Sequence, residues 1–160
     1  MSQATVPLHE IRLPSVEKYA DALERVAAEL TDHERSILKT LLRVHHAAPG
    51  RVISASKLAE QMQALDFNFP NYNTVNLRYG ELARKLGDEL KIPPREAVQI
   101  GIFLDFVPPG FCSNAEYLWV LKQNVADAIE KLSWAEPVSH LLYPHEAIAI
   151  KNPAARVHGA

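Results

Sequence analysis

An α+β fold is predicted by three observations on the amino-acid sequence. Five stretches repeat apolar residues at helical spacing, each opened by a Ser, Thr or Asn that can cap a helix. A β-branched run, Arg51-Val52-Ile53, interrupts them early. Two more β-rich runs, Val98–Val107 and Glu116–Leu121, flank a turn-rich loop and form a hairpin near the end. Helix, short strand, helix, turn, helix, hairpin is the order of a winged helix-turn-helix domain. Here it carries an extra N-terminal helix and a C-terminal helix. The organisation expected is an arm and helix over 1–30, the winged domain over 31–134 and a tail over 135–160.

In chain order, Met1 to Pro14 lacks periodicity and reads as an extended arm. Ser15 caps a first helix whose stripe is Val16, Tyr19, Ala20, Leu23, Val26, Ala27 and Leu30. That stripe suits packing within the chain or, as the helix 16–30 of a homodimer, against a second copy. Thr31-Asp32-His33-Glu34 is a capping box opening a second helix with Ile37, Leu38, Leu41 and Leu42 on its core face. Pro49-Gly50 ends it. His45 and His46 fall in its last turn, where partial positive charge suits the helix dipole, and being adjacent they point to different faces. Ser54 caps a third helix to about Leu65, burying Leu58, Ala59 and Met62. The linker Asp66–Pro70 exceeds the usual turn, and Phe67 and Phe69 are the residues that could pin it.

Asn71 then caps the helix 71–90, with Val75, Tyr79, Leu82, Leu86 and Leu90 on one arc. Asn73, Asn76, Gly80 and Arg84 lie opposite, with Thr74, Arg78, Glu81 and Lys85 along the edge. Asn and Arg are the side chains that pair with the edges of adenine and guanine, so an apolar back with this front could enter a major groove. The plainer alternative is an amphipathic helix with a solvated face. Pro93-Pro94 stops the helix, and Asn124 caps a last one burying Val125, Ala128, Ile129 and Leu132.

Composition bounds the function. The 160 residues are 48% hydrophobic and 22% charged, which suits one globular core. Net charge is −2 with a pI of about 6.4, against a protein that coats nucleic acid indiscriminately but not against a local reader. From Arg78 to Arg95 five basic residues face Glu81, Asp88 and Glu89, a slight positive balance. No apolar run is long enough to cross a membrane, and Met1–Leu13 lacks a signal peptide's features, so the expected setting is cytoplasmic. Cys112 is the sole cysteine, which excludes an internal disulfide. No phosphate loop, dinucleotide fingerprint, nucleophile elbow or zinc-helix motif occurs, and no enzymatic activity, cofactor or metal is expected.

For DNA, the candidate base contacts are Asn73, Thr74, Asn76 and Arg78, beside the cap Asn71. Tyr72, Arg84, Lys85, Ser56 and Lys57 are candidate phosphate contacts, and Phe111 and Asn114 belong to the wing tip. Each has a plain reading as a surface polar residue or, for Tyr72 and Phe111, a core aromatic. Leu77 either packs on the wing or meets a thymine or modified-base methyl group.

The run YNTVNLRYGELARKLG, preceded by HERSILKTLLRVHHAAPGRVISASKLAEQM, resembles the winged-helix module of bacterial HNH-type, modification-dependent restriction endonucleases. Asn76, Leu77, Tyr79, Gly80 and Leu82 carry the shared pattern, and the resemblance covers about 31–132. It implies a domain reading double-stranded DNA, with tolerance or preference for a methylated base. No HNH motif follows, so cutting would fall to a separate nuclease partner. The alternative class is a protein–protein interaction module, which the net charge fits. A third idea, a small-molecule sensor with a pocket between the Tyr19 and Trp134 helices, has no polar cluster behind it.

Overall fold

The computed structural model describes residues 13–92, 99–110 and 116–137. Among these, five helices and one three-stranded antiparallel sheet make an α+β fold. The elements run α1 (Val16–Ala28), α2 (Asp32–Ala47), β1 (Val52–Ser54), α3 (Ala55–Ala64), α4 (Tyr72–Leu90), β2 (Leu104–Val107), β3 (Leu118–Leu121) and α5 (Gln123–Lys131). The sheet order is β1-β3-β2, so the hairpin's second strand pairs on both edges. This order is compatible with a winged helix.

The helix starts follow local chemistry. Ser15 Oγ accepts from the Lys18 amide, Ser54 Oγ from the Lys57 amide, and Asn71 Oδ1 from the Asn73 amide. Thr31 and Glu34 close a reciprocal capping box. Each such cap is worth about 1 kcal/mol over alanine. Asn124 departs from expectation: α5 begins after Lys122 without a side-chain cap, and the Asn124 amide donates to the Pro14 carbonyl at 3.0 Å. The Lys122 amide is held instead by the Phe103 carbonyl, which fixes where the helix can start.

The core gathers every helix against one face of the sheet. Tyr19, Leu23, Leu41, Leu42, Leu58, Met62, Val75, Tyr79, Leu86 and Ile129 are inaccessible to solvent. Ile53, Trp119, Leu104 and Leu121 alternate onto that face, while Val52, Val107 and Leu118 form a smaller apolar patch on the other. The α1 stripe is spent inside the chain on α4 and α5, so the surface expected for a dimer through 16–30 is covered.

Four local expectations are corrected. The run Val98–Val107 is not one strand: Gln99–Ile102 forms a 3₁₀ turn and only Leu104–Val107 is extended. The turn offers the Ile102 carbonyl to the Tyr19 hydroxyl at 2.6 Å and sets Phe103 edge-on to Tyr79. The returning strand starts at Leu118 rather than Glu116, and β1 is Val52–Ser54, because Arg51 belongs to the Pro49–Arg51 turn with positive φ at Gly50 and Arg51. His45 and His46 are not exposed at the helix end. Both are fully buried, with His46 Nε2 2.7 Å from Glu130 of α5.

The linker Asp66–Pro70 is pinned as its aromatics suggest. Phe69 is buried, Phe67 half-buried, and the Phe69 amide donates to Gln63 Oε1 at 2.8 Å. The expected stop at Pro93-Pro94, the arm 1–12 and most of the tail lie outside the described residues. Helix α4 ends at Leu90, with Lys91 in the left-handed conformation.

Candidate nucleic-acid interface

Helix α4 sits with Val75, Tyr79, Leu82, Ala83 and Leu86 buried and the opposite side of its N-terminal half exposed. Asn71, Tyr72, Asn73, Asn76 and Leu77 are all exposed there, and no acidic residue occurs between Asp66 and Glu81. Leu77 is 61% exposed, and the wing tip it could pack on lies outside the described residues. An isolated leucine is ordinary on a surface, but this one stands between Asn76 and Arg78 on the reading helix the sequence suggested.

The predicted base-reading set does not share one face. At roughly 100° per residue, Arg78 lies about 200° around the helix from Asn76. Asn76 flanks the sheet side; Arg78, with Lys85, flanks α2. Arg78 and Lys85 line a hollow with Glu34, Ile37 and Leu38, and their positive charge adds to the pull that holds the Glu34 carboxyl below its usual range. The larger causes of that lowering are the Thr31 amide and hydroxyl of the capping box. The Arg78 Nε is shut off from solvent without a hydrogen-bond partner, so only the guanidinium end can reach outward. Thr74 is half-buried on the same flank.

The remaining candidates divide as follows. Arg84 is exposed on the outer face of α4, beyond its N-terminal half. Asn71 spends its side-chain oxygen on the cap. Ser56 Oγ donates to Glu116 Oε2 at 3.0 Å, joining α3 to the base of β3 rather than pointing outward. Lys57 is exposed with Glu60 3.8 Å away, an i,i+3 pair of little energetic weight. Phe111 and Asn114 lie outside the described residues, as does Cys112.

Behind α4 lies a buried polar relay that composition did not reveal. His45 of α2 bonds Tyr79 Oη of α4 through Nδ1 at 2.8 Å and the Trp119 carbonyl of β3 through Nε2 at 3.1 Å. A carbonyl only accepts, so Nε2 carries the proton and Nδ1 accepts from the tyrosine hydroxyl. Burial pushes the His45 pKa down to about 4, and burial holds the Tyr79 hydroxyl well above its usual range. The relay fixes the rotation of α4 relative to α2 and the hairpin. Among the described residues no group of three His, Cys, Asp or Glu could hold a metal ion, and no helix is long and apolar enough to cross a membrane.

Comparison with protein-family models, curated proteins and solved structures finds no match to this chain. The resemblance to restriction-endonuclease modules therefore rests on its short motifs.

Proposed function

We propose that this chain is a cytoplasmic winged helix-turn-helix protein that reads double-stranded DNA through the N-terminal half of α4, without catalysis of its own. The observation that supports the reading most is the exposure of Asn71, Tyr72, Asn73, Asn76 and Leu77 along the first turns of α4. Asn73 and Asn76 would address base edges, and Leu77 would meet a thymine or methylated-base methyl group. Arg84 would hold the backbone on the outer face, while Arg78 and Lys85 would serve it from the α2 flank. Supplying base contacts while a separate nuclease or regulator acts on them is the role this division of labour fits.

The alternative, a protein–protein interaction module, has its own support. Along α4 the charges cancel: Arg78, Arg84 and Lys85 against Glu81, Asp88 and Glu89. A helix that must enter a polyanion's groove ordinarily carries a surplus of positive charge.

Fluorescence anisotropy against a mixed duplex library, unmodified and methylated, at two salt concentrations separates the two. Salt-sensitive, sequence-dependent binding that Asn76→Ala abolishes supports DNA reading. No binding at low salt, where electrostatics help most, rejects it in favour of a protein partner.

A further inference from the structure

Helix α4 carries two glycines in its interior, Gly80 and Gly87. Glycine is the costliest helix residue after proline, and neither of these has the positive φ that would call for it. Gly87 is explained by the fold. It is buried, and a Cβ there would stand 3.2 Å from Ile102 Cδ1. Gly80 is partly exposed, and the fold does not explain it. Beyond the helix's own backbone, no atom of the described residues lies within 4 Å of the place its Cβ would take.

At roughly 100° per residue, Gly80 lies within about 60° of Asn73, Asn76, Leu77 and Arg84 around the helix, and all four are exposed. At about 1.5 Å per residue it stands roughly 10 Å along the axis from Asn73 and roughly 6 Å short of Arg84. A major groove is about 12 Å wide. A helix that enters N-terminus first, with Asn73 at the base edges, therefore meets the wall of the groove about where Gly80 lies. Arg84 then falls one turn further out, at the phosphates. We propose that Gly80 is the point where α4 crosses the sugar–phosphate backbone in van der Waals contact, its missing Cβ setting how deeply Asn73 and Asn76 reach. This role rests on the DNA reading above: Gly80 contributes no charge and no hydrogen-bonding side chain, only proximity. A methyl group at position 80 would lift the helix and draw both asparagines back from the bases.

Gly80→Ala and Gly80→Leu test this in the full chain, by anisotropy against the mixed duplex library and by thermal unfolding of each protein. Because the Cβ position is open and both residues favour helix, the melting midpoint should rise by about 2–4 °C. Affinity for the parent's best-bound duplexes should nevertheless fall, by about tenfold for alanine and further for leucine. Preference among sequences should flatten with it, while the salt slope is kept because no charge changes. A midpoint that falls in Gly80→Ala would show that the fold itself needs the glycine and would overturn the proposal. Unchanged affinity and preference in both variants, with the parent binding, would also overturn it and would leave the DNA reading standing. If the parent binds no duplex at low salt, the two fall together.

Discussion

His45 Nδ1 and Tyr79 Oη lie 2.8 Å apart in a site from which both side chains exclude all solvent. The bond joins α2 to α4, and the other ring nitrogen continues it to the carbonyl of Trp119 in β3. Three elements that meet nowhere else in sequence are thereby keyed to one imidazole.

Tyr79→Phe keeps the ring that packs edge-on against Phe103 and tilted against Trp119, and removes only the hydroxyl. His45 Nδ1 is then a buried acceptor without a donor, which costs about 1–3 kcal/mol. Urea denaturation should show a lower midpoint with an unchanged m-value.

The same residue gives the fold a pH dependence of defined sign. His45 titrates near 6.5 when unfolded and at about 4 in the fold. Between those values the unfolded chain binds the proton and the folded chain does not, so stability rises with pH. The contribution is complete above about 6.5 and is lost progressively as pH falls toward 4, in total about 3 kcal/mol for a shift of this size. Denaturation at pH 7 and pH 4.5 should show a smaller difference in His45→Gln than in the parent.

Asn71→Ala removes the side-chain acceptor of the Asn73 amide at the start of α4. A loss of about 1 kcal/mol is expected, and Asn71→Asp, which restores an acceptor and adds favourable charge at the helix N-terminus, should recover it. Thermal unfolding of the three proteins makes the comparison.

On DNA, the two flanks of α4 should separate. Asn73→Ala and Asn76→Ala are expected to cost about 1–3 kcal/mol each and to relax preference at single base positions. Arg78→Ala should weaken all sequences alike and reduce the salt slope by about one. Anisotropy titrations over a salt series distinguish these patterns, and a change of sequence preference in Arg78→Ala would contradict the assignment.

The helices were legible because their starts are local: Ser15, Thr31, Ser54 and Asn71 each bond an amide two or three residues away. The α+β class followed from the same punctuation. Asn124 misled because its amide finds Pro14, and the helix start is set by the Phe103 carbonyl, both remote in sequence. Ile100 and Ile102 have the propensity of strand residues, yet the tertiary bond to Tyr19 favours a 3₁₀ turn there. His45 and His46 read as helix-end residues suited to the dipole because their partners, Tyr79, Trp119 and Glu130, lie on other elements. The split between Asn76 and Arg78 was present in the helical wheel itself. That Tyr72, Phe106 and Tyr117 line one cleft could not be read, since they come from α4 and from the two sides of the hairpin, remote in sequence.

The sheet order has a consequence for synthesis. Its central strand, β3, is the last of the three to leave the ribosome, and the two edge strands have no partner until it arrives. Val52 waits for Val120, and His45 waits for the Trp119 carbonyl. A nascent chain halted before Leu118 therefore lacks both the strand that joins the two edges and the carbonyl that holds His45. The sheet, and with it the full seating of α2 and α4, is completed in one late step of synthesis.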